Sequence, residues 1–229
     1  MSSFKTRAVP PNPSRASLPG SIPAASRWPA QWALPHFRWR LGLVLLLLVG
    51  LLPIIPDFYH YIQARPGRLL PDPLASLLPV RDVSAPTFTL IYGSIVATLW
   101  QVLPRPLQLL RALWGYYFLQ LFRMLTLWLL PLDPPRELVN LHDPVVDYLF
   151  QVAEQPIVRD LFFSGHTATM VLLLLLARGP RLRLAMLLAS IAVGTLVLVQ
   201  RVHYSYDVLA APLFAWLAYR LADKVAGKA

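Results

Sequence analysis

The stretch from Leu182 to Gln200, LRLAMLLASIAVGTLVLVQ, decides the class of fold. It carries one charge, Arg183, close to its start and no acidic residue. An α-helix rises ~1.5 Å per residue, so a run of this length covers nearly all of the ~30 Å hydrocarbon layer of a bilayer. Working outward, five more apolar runs near spanning length stand at 38–56, 86–103, 107–131, 161–177 and 204–222. Proline marks their limits because it cannot donate to a helical ladder. Pro53 and Pro56 close the first run, Pro104 and Pro106 part the second from the third, and Pro131, Pro134 and Pro135 stop the third. Trp39, Trp100 and Trp128 fall near the proposed span ends, where an amphipathic ring suits the headgroup layer, whereas Trp114 and Trp216 lie deeper. The predicted fold is all-α: an integral membrane bundle of six transmembrane helices over residues 37–224.

Composition agrees with a lipid solvent. The chain has 229 residues, of which 56% are hydrophobic and 14% charged, and its mean hydropathy is +0.53, too apolar for an ordinary soluble domain. Residues 1–36 differ sharply: rich in Pro, Ser, Ala and Arg and free of acidic residues, they read as a disordered basic tail. The same makeup suits an organellar transit peptide. The net charge of +10 does not point to nucleic acid, because the basic residues are scattered among apolar spans instead of forming one cationic face with stacking aromatics. With no cysteine in the chain, thiolate catalysis and Cys-ligated metals are excluded.

The basic residues instead orient the bundle. Fourteen of the 21 Lys and Arg fall in the tail through Arg40, the 104–111 turn, the 178–183 turn and the C-terminal end, which places that side and both termini in the cytoplasm. The loops 57–85 and 132–160 and the turn 201–203 then face outward, with every acidic residue except Asp223. Leu69–Leu78 reads as a short interfacial helix, too short to span. A bacterial inner membrane is the preferred setting, with the active site on the extracytoplasmic face.

Two strings on that outer face carry chemistry. Arg159-Asp160-Leu161-Phe162-Phe163-Ser164-Gly165-His166-Thr167 sits where the second long loop enters the fourth span. Free amides and the positive dipole end at a helix N-terminus suit a phosphate, and Gly165 permits close approach of the backbone. Alone, Ser164-Gly165-His166 reads as readily as a Ser cap and an interfacial His. The second string is Arg201-Val202-His203-Tyr204-Ser205-Tyr206-Asp207. Its i, i+4 spacing puts His203 and Asp207 on one helix face, where the carboxylate can fix the imidazole tautomer. Phosphoryl transfer needs a nucleophile, an acid for the leaving oxygen and positive charge around the phosphate. His203 is the expected nucleophile, His166 the acid and Asp207 the orienting base. Arg201, Arg123, Ser164 and Gly165 are the expected phosphate-binding set.

These strings resemble the sphingomyelin synthase-like branch of the type 2 phosphatidic acid phosphatase superfamily: Phe163-Ser164-Gly165-His166-Thr167 followed by His203-Tyr204-Ser205-Tyr206-Asp207-Val208. The likeness extends upstream to Phe122-Arg123-Met124-Leu125-Thr126, Leu130-Pro131-Leu132 and Leu70-Pro71-Asp72, and so covers most of residues 38–222. The resemblance implies six spans, a metal-independent and cofactor-free reaction, and a His-His-Asp triad with a histidine-linked phosphate intermediate, mapped onto His166, His203 and Asp207. Departures bear on the substrate. Phe163 stands where the phosphatase branch has Pro, Val197 where it has an Arg six positions before the nucleophile, and no Lys-x6-Arg-Pro motif is present.

The expected function is therefore a membrane lipid phosphotransferase that moves a phospho-headgroup from a phospholipid to a lipid alcohol such as ceramide or diacylglycerol. Its partners are those two lipids and the bilayer. The alternatives are a lipid phosphate phosphatase, with water as acceptor, and a non-catalytic membrane protein. His142, Asp143 and Asp147 share an outer loop but lack a metal-ligand spacing, so no metal is expected there.

Overall fold

The computed structural model describes residues 27–143 and 157–227. Asp147, most of the tail and the middle of the second outer loop lie outside the described residues. Within them the chain is helical: α1 (Trp28–Trp32), α2 (Pro35–Leu51), α3 (Ile54–Ala64), α4 (Pro73–Ser76), α5 (Ser84–Val102), α6 (Pro106–Leu129), α7 (Gly165–Leu176), α8 (Pro180–Val199) and α9 (Ser205–Ala226). Proline opens α2, α6 and α8, because the first helical position has no amide bond to lose and the ring presets φ.

The six apolar runs each contain a helix, with two corrections. Pro53 closes α2, which ends at Leu51, but Pro56 does not stop the chain: after a bend of 44° it continues as α3 to Ala64. Nor does the tail reach residue 36 unfolded. Trp28 opens α1, packs edge-on against Phe37 and donates its indole N–H to the Leu103 carbonyl at 2.8 Å.

Among the described residues one helix, α8, is by itself long and apolar enough to cross a membrane, and the bent pair α2–α3 is a second if it forms one broken span. The other runs fall short for visible reasons. Helix α7 has 12 residues, about 18 Å. Helices α6 and α9 carry charges, among them Arg111, Arg123, Asp207, Arg220 and Asp223. Helix α5 is diluted by Ser94, Thr98 and Gln101.

Helix α9 is the centre of the packing, lying along α6 and α7. Its inward face repeats alanine at 211, 215, 218, 222 and 226, all fully or almost fully buried. Small side chains at i, i+3 and i+4 spacing let backbones approach closely, so packing here comes from fit more than from bulk. Leu119, Phe163, Ala168, Leu172 and Leu176 fill the facing surface. Phe163 stacks on Phe214 with centroids 4.2 Å apart. The outward side of α8 instead shows Leu184, Leu187, Leu188 and Ile191, an apolar stripe at helical spacing.

Side chains close the two ends of the bundle. At one end Gln101 and Arg178 exchange hydrogen bonds of 2.8 Å, and Gln108 donates to the terminal carbonyl of α7 at Leu176. At the other, Arg65 donates to the Leu127 and Trp128 carbonyls at the end of α6. Arg68 and Leu132 form an isolated bridge that joins the segment after α3 to the segment after α6. Gly67 permits it, since a Cβ there would lie 2.2 Å from the Leu132 carbonyl carbon.

Candidate functional site

The site is assembled where α7 and α9 begin. Ser164 is the N-cap of α7, its hydroxyl accepting from the Thr167 amide at 3.3 Å. The Ser164 amide in turn donates to the Asp207 carbonyl at 3.1 Å, so the first turns of the two helices are tied together. That link sets His166, in the first turn of α7, against His203, just ahead of α9. Their ring centroids are 5.9 Å apart at 63°. Phe88 of α5 meets the other side of His166, also at 5.9 Å.

His203 and Asp207 do come together, but not by the route that spacing suggested. Helix α9 starts at Ser205 with Tyr204 as its N-cap, so His203 precedes the helix. Asp207 lies at the third helical position and reaches back, its Oδ2 accepting from the Tyr204 amide at 2.9 Å, as in a capping box. The same oxygen lies 3.5 Å from Nδ1 of His203. That distance is an ion-pair contact beyond hydrogen-bond range, and Nδ1 of His203, Oδ1 of Asp207 and Nδ1 of His166 are buried without a hydrogen bond. Unsatisfied buried polar atoms are costly in a finished core. Three such atoms belong to the two histidines and the carboxylate. His203 is 1% exposed and Asp207 0%, whereas His166 is only partly covered.

The expected phosphate-binding residues divide. Arg123 of α6 is buried beside the start of α7, hydrogen-bonded to the Phe163 carbonyl and, through Nη2, to the Asp160 carbonyl and carboxylate at 2.7 and 2.6 Å. Gly165 makes the room for it: a Cβ there would meet the Arg123 guanidinium carbon at 2.9 Å. Close approach at Gly165 is thus used by an arginine of the chain itself, and Arg123 brings a cation within contact of the helix start that carries His166. Arg201 is turned elsewhere. Its φ of +58° is uncommon for a non-glycine residue, and its Nη2 donates to the Leu78 carbonyl at 3.1 Å. It lines a cleft whose walls include neither histidine.

Sequence reasoning missed the residues that hold this arrangement from outside. The Asp72 carboxylate accepts from the Ser205 amide at 2.6 Å and the Ser205 hydroxyl at 2.8 Å. The Tyr204 hydroxyl donates to the Asp133 carbonyl at 2.8 Å and accepts from the Leu70 amide at 3.2 Å. Gln200, fully buried, donates to Ser84 Oγ and the Asn140 carbonyl at 2.7 and 2.9 Å and accepts from the Val83 amide. The dipeptide Asp72-Pro73 carries a local cap signal, and α4 indeed starts there. Nothing local announces that the same carboxylate holds α9.

Two imidazoles with a carboxylate behind one of them, near a buried guanidinium and a helix N-terminus, are the group types that phosphoryl transfer calls for: a nucleophile, a proton donor and positive charge. No curated protein and no solved structure matches the chain. Residues 159–224, which contain both histidine strings, α7, α8 and all but the last two residues of α9, match the family model described as PAP2 superfamily C-terminal. The likeness to that superfamily lies in this C-terminal segment, which is the part of the chain that carries both histidines and Asp207.

Proposed function

We propose that the chain is a multi-pass membrane enzyme of six crossings that transfers a phosphoryl-linked headgroup from a phospholipid to a lipid alcohol, ceramide or diacylglycerol, in the manner of the sphingomyelin synthases. The observation that carries this reading is the facing pair His166 and His203, 5.9 Å apart, with the Asp207 carboxylate 3.5 Å behind His203. The exposed apolar stripe on α8 supports the membrane setting, since a face of that kind needs lipid or another protein to cover it. Basic turns on one side and acidic loops on the other support cytoplasmic termini and an outward site, and a bacterial inner membrane is the setting we propose for it.

In the proposed reaction Asp207 faces Nδ1 of His203 and leaves Nε2 for attack on phosphorus. The bond between phosphorus and the diacylglycerol oxygen breaks, and His166 gives its proton to that oxygen. The headgroup phosphate is now linked to His203. The acceptor hydroxyl then attacks phosphorus, passes its proton to His166 and displaces His203, which returns both imidazoles to their starting state. Arg123 and the amides at the start of α7 offset charge on the phosphate oxygens.

With water in place of the lipid alcohol the same two steps give a hydrolase. Purified protein in detergent, offered labelled phosphatidylcholine, phosphatidylethanolamine or phosphatidic acid with and without ceramide or diacylglycerol, separates the cases. A headgroup-bearing product that requires the acceptor is the expected result. Release of phosphate or headgroup without it assigns the hydrolase, and turnover that survives His203→Ala overturns the catalytic reading.

A further inference from the structure

Beside the histidine pair the outer loops enclose a separate cleft of about 570 Å³. Tyr204 and the run Leu69, Leu70 and Pro71 line it, together with Arg136, Glu137 and Arg201. Arg201 is buried, with a side chain 8% exposed. A guanidinium has five N–H donors, yet among the described residues one hydrogen bond is made, to the Leu78 carbonyl. The nearest carboxylate, Glu137, is 3.9 Å away on a side chain 69% exposed, a loose and solvated contact that is worth little. Arg201 lines the cleft, and none of its nitrogens is sealed off without a partner. Asp72, also in the lining, keeps its charge but has both carboxylate oxygens engaged by Ser205 and Ala75.

The surroundings decide what kind of anion fits. The loop that lines the cleft exposes Leu69, Leu74 and Leu77, at 44%, 52% and 80%. Apolar side chains presented by a short, one-turn helix belong at the boundary between headgroups and acyl chains. A cleft at that depth that joins apolar residues to two guanidiniums, Arg136 and Arg201, set beside the hydrogen-bonded Asp72 and the exposed Glu137, matches an amphiphile better than a free ion. We propose that this cleft holds the phosphate of a phospholipid headgroup between Arg201 and Arg136, at a position distinct from the histidine pair. The placement at the membrane surface rests on the reading under Proposed function. The ligand is one in which a guanidinium fork can grip two phosphate oxygens while the glycerol end lies against Leu69, Leu70 and Pro71.

Calorimetric titration tests this in an uncharged maltoside detergent, on His203→Ala protein so that the proposed chemistry does not consume the ligand. The titrants are dihexanoyl phosphatidic acid, dihexanoylglycerol and inorganic phosphate. Phosphatidic acid should bind and the phosphate-free diglyceride should not. Arg136→Gln, in an exposed loop, and Arg201→Gln should each weaken binding by about ten-fold, the loss expected for one charge-assisted contact. Arg136→Gln keeps the test open if Arg201→Gln fails to fold. Affinity unchanged by Arg136→Gln and by any folded Arg201→Gln protein would overturn the proposal, and inorganic phosphate binding as tightly as the lipid would overturn its lipid part. Turnover persisting in the His203→Ala protein would count against the catalytic reading, and the comparison of Arg136→Gln with its parent would still report on the cleft.

Discussion

Asp72 and Ser205 lie 133 positions apart in sequence and share two hydrogen bonds, from the Ser205 amide at 2.6 Å and its hydroxyl at 2.8 Å. The same carboxylate caps α4 through the Ala75 amide at 3.0 Å. One side chain thus holds the first outer loop against the first turn of the helix that carries Asp207. Burial pushes the Asp72 carboxyl up, but the amides of Ala75 and Ser205, the Ser205 hydroxyl and the Leu74 amide outweigh it and hold it below its ordinary value of 3.8. A depressed folded-state value stabilises the fold fully above the unfolded value, and that contribution is lost as pH falls through the depressed one. Thermal unfolding followed from pH 7 to pH 3 should therefore show a falling melting temperature below about pH 4. Asp72→Asn should start lower and lose part of that dependence. A pH profile identical to that of the parent would refute the latch.

His203→Ala should lower turnover by at least about a thousand-fold and abolish any covalent phospho-enzyme. His166→Ala should slow cleavage most for donors with poor leaving groups, because a proton matters least where the departing oxygen is already stable. Rapid-quench trapping with labelled donor checks both: labelled intermediate in the His203→Ala protein would contradict the assignment of the nucleophile.

Asp207→Asn keeps a side-chain acceptor for the Tyr204 amide but removes the charge beside His203. Its expected phenotype is a folded protein with turnover reduced by about a hundred-fold or more. Asp207→Ala removes the cap as well, which costs about 1 kcal/mol of stability in addition. Circular dichroism melts run beside the lipid assay separate the two losses.

Gly165→Ala places a methyl group 2.9 Å from the guanidinium carbon of Arg123. The guanidinium is held by Phe163 and Asp160 and has little freedom to move, so a destabilisation of about 1–3 kcal/mol is expected, with activity falling alongside. Gly93→Ala is the control. Nothing lies within 4 Å of a Cβ there, and the substitution within α5 should be neutral or stabilise by up to about 1 kcal/mol. Equal effects at the two positions in chemical denaturation would show that Gly165 is not there to make room.

The chain has no cysteine, so single-cysteine variants report topology without a background to remove. Arg136→Cys and Glu137→Cys should react with an impermeant maleimide from outside intact cells, and Arg181→Cys only after permeabilisation. Labelling of all three from the same side would refute the proposed orientation.

Helix positions were legible in the sequence because apolar runs and prolines are local signals: α5, α6, α8 and α9 start or stop within a few residues of the predicted limits. The crossing number was less so. Hydropathy alone cannot tell whether the 12 residues of α7, extended by the buried segment around Phe163, are placed as a full span. The meeting of His203 with Asp207 was foreseen for a helical reason, whereas the structure achieves it by a cap that draws the carboxylate back over the turn. Arg201 was assigned by nearness in sequence, and a single positive φ is enough to send its side chain to a different wall. Asp72, Tyr204 and Gln200 escaped because their partners are far away in sequence, and only the packed chain brings them together.

The double duty of Asp207 carries a lesson for anyone reading substitution tolerance. One oxygen terminates a helix and approaches an imidazole, so a library of variants screened only for expression or thermal survival will retain this carboxylate even if nobody asks it to catalyse. Intolerance at this position does not by itself reveal chemistry. Asparagine, which can satisfy the backbone without the charge, is the substitution whose fate separates architecture from catalysis.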